Sequence, residues 1–505
     1  MDIFTNMITG FEIAVTPVNI IALFAGAVIG MLIGIIPGFG ASAALAILLP
    51  LTMGLDPTAA IIMLAGIYYG SMYGGATTSI LINTPGDSAA VVTAFEGYPL
   101  TLKGQASKAL IFQALASFIG GTVGVILIFA MAPLFAEVAL KFGPPEYFML
   151  MAMGLLTLIW MTEGSITKSA ISGLIGLAIG VVGLDIVTGQ PRYTFDSPEL
   201  IGGISFIPVT IGLFGIGELL YRLFKSEHKD FENKNLDVSL KNKEAWPSKK
   251  EFGESKFSFA RGSLLGFIVG VLPGAGATIA SFLSYSVEKK VSKTPEKFGK
   301  GHLPGLAAPE TANNAAVSGA MIPLLSLGIP GSASTAILLG ALILYGLQPG
   351  PLLMINNPDL TWGVVSSMYL GNAILLIINI VAIPLFLAVV KVEYKLLVPI
   401  IVILCIIGTY SLNNSMVEVF MLLIFGIIGL LMKMYGYSPA ALVLALVLGP
   451  LAENNLRQSL IMSDAGVEIF FTRPISLAFF LVIVIIVIAP LISRLLRRKR
   501  SNVGV

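Results

Sequence analysis

Gly34-Ile35-Ile36-Pro37-Gly38-Phe39-Gly40-Ala41-Ser42 recurs, 236 positions on from Pro37 to Pro273, as Gly270-Val271-Leu272-Pro273-Gly274-Ala275-Gly276-Ala277-Thr278. Each copy follows one apolar run and opens another, as the tip of a hairpin would. Glycine allows positive φ and close backbone approach, proline lacks a donor, and Ser42 or Thr278 is suited to capping the next helix. A helix N-terminus exposed there presents unpaired N–H groups and a partial positive charge, which suits a carboxylate. Either motif alone also reads as a kink or a tight helix crossing built from small residues; the pair favours a site.

The surroundings of both motifs are those of a membrane protein. Of 505 residues 56% are hydrophobic and only 11% charged, with mean hydropathy +0.91, against about 25% charged in a soluble domain. Apolar stretches of roughly 17–25 residues recur from Val18 to Ile492, about ten to twelve membrane-embedded segments. The 54 glycines and 28 prolines favour broken helices over a simple bundle, because freed backbone groups are then satisfied by protein or a water-filled cavity. Cys405, in an apolar run, is the single cysteine, which excludes a disulfide framework or a cysteine metal site and reads as packing. Met1-Asp2-Ile3-Phe4 lacks the positive start of a cleavable signal peptide, so the first apolar segment is expected to stay in the chain.

Further matches extend the repeat. Thr84-Pro85-Gly86-Asp87-Ser88-Ala89 answers to Ile329-Pro330-Gly331-Ser332-Ala333-Ser334, and Glu146-Tyr147 to Glu393-Tyr394. Basic residues near membrane segments stay cytoplasmic. The stretch 222–261 holds ten of the thirty Lys and Arg and is put inside. Lys289, Lys290, Lys293, Lys297 and Lys300 follow the second Pro-Gly motif, whereas the matching Thr52 to Asp56 loop has no base; Lys103 and Lys108 follow Asp87, whereas Gln348 to Asp359 has none. Matched loops thus carry opposite charge preference, leaving Lys141, Arg192, Arg457 and Arg473 outside. The expectation is an all-α polytopic membrane protein of two inverted-topology repeats with re-entrant hairpins and broken helices, a signature of secondary transporters. Its parts are a first repeat 1–221, a basic cytoplasmic linker 222–261, a second, inverted repeat 262–474, and a final transmembrane helix with a basic tail 475–505. The N-terminus is then periplasmic and the C-terminus cytoplasmic.

Polar residues inside this apolar frame mark the candidate site. The run from Tyr68 to Ser79 is too polar for lipid, so its hydroxyls must face protein or water; it leads through Asn83 and Thr84 into Pro85-Gly86-Asp87-Ser88. Asp87, beside a predicted helix break, reads either as an ion-coupling carboxylate for Na⁺ or a proton or as an N-cap. In the second half Glu310-Thr311-Ala312-Asn313-Asn314 and Gly328-Ile329-Pro330-Gly331-Ser332 occupy the matching places, and Ser332 replaces Asp87, so an ion site is asymmetric. The candidate substrate contacts are Gly38, Gly40, Ser42, Asn83, Thr84, Gly86, Ser88, Gly274, Gly276, Thr278, Asn313, Asn314, Gly331 and Ser332. Asp185, Glu218 and Glu453 read as capping or interfacial pairs. His228 and His302 lie outside apolar segments, no cluster has zinc-ligand spacing, and no serine has a recognisable base partner, so no enzyme and no cofactor beyond a coupling Na⁺ or H⁺ is expected. The basic linker reads as a positive-inside loop and not as a nucleic-acid site.

These strings, above all Gly34 to Gly40, Tyr69-Gly70-Ser71-Met72-Tyr73-Gly74-Gly75, Asn83-Thr84-Pro85-Gly86 and Gly328 to Ser332, resemble the large membrane subunit of the tripartite tricarboxylate transporter family. The resemblance covers nearly the whole chain. It implies a bacterial inner-membrane importer of carboxylates with about twelve helices, driven by a sodium or proton gradient and working with a small membrane subunit and a periplasmic solute-binding protein. No Gly-x-x-x-x-Gly-Lys-[Ser/Thr] phosphate loop is present, in agreement with gradient coupling. A channel or a non-transporting scaffold is the other class compatible with these features, and a homo-oligomer is left open.

Overall fold

Backbone polar groups in a bilayer core have no water to bind, so a spanning chain satisfies them within helices. The computed structural model describes residues 3–161, 165–185, 188–225, 243–274, 276–390, 394–463 and 466–502, and among these the helix is nearly the sole element. Numbered in chain order, the first helices are α1 (Ile3–Ala14), α2 (Pro17–Ile35), α3 (Gly40–Leu48), α4 (Pro57–Ile82), α5 (Val91–Leu102) and α6 (Ala106–Ala139). Next come α7 (Pro144–Met161), α8 (Ile166–Gly180), α9 (Pro198–Ile201), α10 (Phe206–Thr210) and α11 (Gly217–Lys225). The second part supplies α12 (Lys249–Val271), α13 (Gly276–Val291), α14 (Leu303–Ile322), α15 (Ala333–Leu344), α16 (Pro351–Asn356) and α17 (Pro358–Val381). The remainder is α18 (Ile383–Val390), α19 (Tyr394–Asn413), α20 (Met416–Met434), α21 (Pro439–Ile461), α22 (Ile469–Thr472) and α23 (Pro474–Asn502). Among the described residues, seven helices are long and apolar enough to cross a membrane, or eight if the bent α22–α23 pair, with its preceding turn, is one span. Shorter apolar helices at 40–52, 166–180, 333–344 and 396–411 accompany them.

The chain forms two compact units, residues 1–136 with 207–434, and 137–206 with 435–505. Compactness follows a different line from the sequence repeat, since each unit draws on both halves. Helices reach into both ends of the 222–261 stretch. Helix α11 continues through Arg222 to Lys225, and α12 starts at Lys249 with a capping box in which Ser248 Oγ accepts from Glu251 N and Glu251 Oε2 accepts from Ser248 N. Residues 226–242, with Lys241 and His228, lie outside the described residues, as do Ala275 and Glu393 of the repeat strings.

In the larger unit, a stripe of glycines joins α2 to α4. A Cβ placed on Gly26, Gly30 or Gly34 would run into the carbonyl oxygens of Met63, Ile67 and Ser71 respectively. The second half repeats this register: Gly262, Gly266 and Gly270 face the carbonyls of Ala308, Ala312 and Ala316 on α14. The glycine offset is the 236 of the Pro-Gly motifs. Backbones this close gain dispersion and weak Cα–H···O contacts that larger residues would prevent. The lipid-compatible side of the unit keeps large apolar groups exposed, such as Ile21 and Phe24 on α2 and Phe420, Ile424 and Ile427 on α20.

The smaller unit holds ion pairs at helix ends. Arg192, on a two-residue antiparallel ribbon (Gly183–Leu184 with Pro191–Arg192), pairs with Asp185 at 3.2 Å and Glu453 at 2.7 Å. Arg457 pairs with the same two acids at 2.9 and 2.7 Å, and Arg473 with Glu146 at 2.6 Å. Pairing is therefore the role of Asp185 and Glu453, and Glu218 in the larger unit likewise bonds Arg222 and Lys433.

The stripe makes a direct prediction. Gly30→Val and Gly266→Val should each destabilise the folded unit by about 1–3 kcal/mol, the range for overpacking, because the colliding atom is backbone and cannot swing away. Gly253→Ala on α12, where a Cβ meets nothing within 4 Å, should be neutral or stabilising. Thermal unfolding followed by size-exclusion chromatography in detergent reads the difference; equal midpoints for all three variants would refute the packing argument.

Candidate functional site

The first Pro-Gly motif breaks the chain between α2 and α3. Ile36 closes α2 through its N–H to Ile33 O, and Gly38 and Gly40 then take φ of 71° and 61°. The released segment is held by the other predicted break: Gly38 N donates to Pro85 O at 3.1 Å and Gly40 N to Gly86 O at 3.0 Å. Asp87 completes the junction. Its Oδ1 accepts from Ala89 N at 2.9 Å, capping its own helical turn, and its Oδ2 accepts from Ala41 N at 2.9 Å, capping α3. The carboxylate thus serves two helix starts, which satisfies orphan N–H groups and places negative charge where the helix dipole favours it. Ser42, expected as the cap, sits inside the first turn instead and has no side-chain hydrogen bond among the described residues.

The second half reproduces the break but not the charge. Leu272 closes α12, Gly274 and Gly276 take φ of 83° and 61°, and Gly274 N donates to Gly331 O at 2.9 Å. Ser332 turns to its own helix, in a reciprocal cap with Thr335 of α15. A Cβ on Gly40 would stand 2.7 Å from Asp87 Oδ2, whereas one on Gly276 would meet nothing nearer than Ser332 Cβ at 3.8 Å. Among the described residues no acceptor caps the N–H groups of Gly276, Ala277 and Thr278. The N–H groups at the start of α13 are thereby the more open of the two.

Cross-half contacts gather three of the candidates, Ser88, Thr278 and Ser332. Ser88 Oγ and Thr278 Oγ1 share a hydrogen bond of 2.7 Å, and the Tyr68 hydroxyl lies 3.4 Å from Ser332 Oγ. Tyr69 and Tyr73 reach Ser318 and Asn372, each at 2.6 Å, so these two hydroxyls are satisfied by protein, whereas Ser71 Oγ of the same run is buried with no hydrogen-bond partner among the described residues. Gly86 is forced by space, since a Cβ would meet the Gly75 Cα at 2.6 Å. Gly331 is tight as well, with Ala320 Cβ at 3.3 Å. Asn83 and Thr84 have a local duty: Asn83, at φ 55°, ends α4 through its N–H to Thr78 O, and Thr84 N donates to the same oxygen. Asn313 and Asn314 are fully buried in α14 and bond around Glu310, away from the backbone hydrogen bonds of either break.

Two further side chains lie outside the set of candidate contacts. The Arg222 guanidinium occupies the space that a Cβ on Gly38 would need, and its Nε donates to the buried Glu218 at 2.7 Å. The pattern Glu218–Arg222, four apart at the end of an apolar run, was the available signal. Glu310 is the other, a fully buried acid inside a helix. A groove of about 640 Å³ near Lys108, Trp246 and Lys297 involves none of the candidates. His302, at the start of α14, is held below the usual imidazole range mainly by burial, opposed by the charge of Glu96.

Residues 20–444 match the model of the Tripartite tricarboxylate transporter TctA family. An Agrobacterium vitis protein, "Uncharacterized 52.8 kDa protein in TAR-I ttuC' 3'region", is 44% identical over 508 residues, covering 100% of this chain and 99% of the relative. A second from the same organism, "Uncharacterized protein in TAR-II ttuC' 3'region", is 44% identical over 243 residues, 48% of this chain and 99% of the relative. No solved structure matches. With a family model spanning both breaks and a relative matched end to end, this chain belongs to the tripartite tricarboxylate transporter TctA family.

Proposed function

We propose that this chain is the transport subunit of a secondary importer that moves di- or tricarboxylates across a bacterial inner membrane on a sodium or proton gradient. The observation that carries the reading is the unequal pair of helix starts: α3 is capped by Asp87, while α13 offers open N–H groups beside Thr278, Ser88 and Ser332. A substrate carboxylate seats at the start of α13, with the Arg222 guanidinium beside Gly38 as a second anchor on the first break. Asp87 repels the anion and answers to the coupling cation through the lone pairs its two N–H donors leave free. A single helix terminus contributes roughly 0.3–2 kcal/mol per charge, which suits a low-affinity translocation site. High-affinity capture then belongs to a periplasmic solute-binding protein, with the small membrane subunit completing the assembly.

In this reading the halves run in opposite senses. Two contacts support it: the Tyr345 hydroxyl donates to Thr52 O, and Lys103 Nζ to Lys300 O, each at 2.6 Å. Base-free loops meet base-free loops, and basic loops meet basic loops, as the charge rule requires. Cysteines introduced singly at Thr52 to Asp56 should label from the periplasm and those at Lys289 to Lys300 should not, after Cys405 is replaced; equal labelling of both loops would end the inverted arrangement.

Transport itself is tested by reconstituting the chain with and without its binding protein and small subunit under imposed gradients. Radiolabelled citrate or succinate at micromolar concentration should accumulate with the full set and not with the chain alone; gradient-independent equilibration would instead mark a channel.

Site variants refine the assignment. Gly38→Val, Gly274→Val and Gly331→Val should abolish uptake while the protein still reaches the membrane. Thr278→Val should raise KM roughly tenfold, the loss expected for one hydrogen bond to a charged group. Asp87→Asn keeps a capping oxygen but loses charge, and should change the Na⁺ or pH dependence of uptake; an unchanged dependence on both leaves Asp87 as a cap alone.

A further inference from the structure

Four side chains converge on the Glu310 carboxylate at the junction of the two halves. Oε2 accepts from Gln113 Nε2 at 3.1 Å and Ser117 Oγ at 3.0 Å, both on α6; Oε1 accepts from Asn313 Nδ2 at 3.4 Å and from the Thr93 hydroxyl on α5. All five residues are fully buried. Among the described residues no Lys, Arg or His pairs with Glu310. A buried carboxylate with no paired cation is costly in such a medium and, within a membrane, marks function by default. Alongside it, Gln113 Oε1 and Asn314 Oδ1 are buried acceptors with no donor among the described residues. The cluster is therefore short of a proton: it has an unpaired negative charge and two unpaired acceptors.

We propose that Glu310 is a proton-loading site that couples proton entry to movement of the two halves against each other. This rests on the importer reading above. In one state the carboxylate takes the four donors described. In the other, one H⁺ from the aqueous side adds to a carboxylate oxygen, and the new O–H donates to the Gln113 amide oxygen once that amide turns over; the same H⁺ leaves to the opposite side. A proton fits better than sodium, because it needs a single lone pair, which turning over the Gln113 amide frees, whereas a metal ion needs several oxygen ligands and the remaining donors still occupy the carboxylate. Three of the four donors, Thr93, Gln113 and Ser117, sit on the first half and the acceptor Glu310 on the second. Loading thus changes the bonding across the surface that an alternating-access motion must rearrange.

The other titratable groups around α14 are already committed. On α4, Tyr68, Tyr69 and Tyr73 bond Ser332, Ser318 and Asn372. On α5, Glu96 takes the N–H groups of Gly299, Gly301 and His302 and the Tyr285 hydroxyl of α13, and Tyr98 is half-buried. Glu288 of α13 pairs with Arg261 of α12, Lys108 of α6 with Glu251, and Asp87 caps α3. The remaining charges of α12 and α13, Lys249, Lys250, Glu254, Lys256, Lys289 and Lys290, are exposed.

The test uses the full chain with its partner subunits in proteoliposomes, radiolabelled citrate and succinate as probes, and Glu310→Gln. The variant should lose proton-driven accumulation at least tenfold while retaining exchange of labelled for unlabelled substrate. Thr93→Val and Ser117→Ala each remove a donor to the charged form, and should move the pH midpoint of uptake to the alkaline side by about one unit, the size of one hydrogen bond to a charged group. Independently of transport, infrared difference spectra between acid and alkaline buffer should contain a protonated-carboxyl carbonyl band that Glu310→Gln removes. Undiminished accumulation by Glu310→Gln, or an unaltered band, overturns the proposal. Should that variant fail to reach the membrane, the two donor variants decide, and unmoved pH midpoints overturn it equally. Loss of the band in Glu310→Gln, with no accumulation of either probe by the unaltered protein, would uphold the proton site and remove the importer reading.

Discussion

Backbone-to-backbone contact along two glycine stripes is the constraint on which the larger unit depends. Gly26, Gly30 and Gly34 let α2 lie on the carbonyls of α4, and Gly262, Gly266 and Gly270 do the same for α12 on α14. In lipid no hydrophobic drive pulls helices together, so close packing must supply the attraction. The same stripes run directly into the Pro-Gly breaks, since Gly34 and Gly270 open those motifs. Packing register and break position are set together, which is why each break finds its partner, Pro85-Gly86 or Gly331, within hydrogen-bond reach.

The two breaks share a backbone and differ in charge. Asp87 spends its carboxylate on two helix starts in the first half, and Ser332 spends its hydroxyl on one in the second. A symmetric scaffold therefore carries an asymmetric field, with an acid at one break and open N–H groups at the other. Neutral and anionic ligands would feel these two ends differently even though the φ angles of Gly40 and Gly276 are both 61°.

Much of this was legible in the sequence because it is local. Proline and glycine announce breaks, and a polar run such as Tyr68 to Ser79 announces a helix surrounded by protein. Asp87 as a cap is also local, in its bond to Ala89. What could not be read depends on which helix lies beside which. The second bond of Asp87, to Ala41, crosses 46 positions; Arg222 reaches Gly38 from the far end of the first half; and Glu310 gathers partners from two other helices. Asn313 and Asn314 matched the expected place along the repeat, yet their helical phase turns them toward Glu310 instead of a break. Ser42 fails as a cap for the opposite reason: its helix starts two residues earlier, at Gly40, leaving the hydroxyl inside the first turn.

The glycine stripes also limit how the paired helices can slide. A helix rises about 1.5 Å per residue, so moving α4 along α2 by one residue would bring a side chain, not a glycine, onto each carbonyl in turn. All three contacts fail at once, and the next compatible register lies four residues away, a step of about 6 Å. Translation along these pairs is quantised, and smaller displacements have to be absorbed where the helices are interrupted.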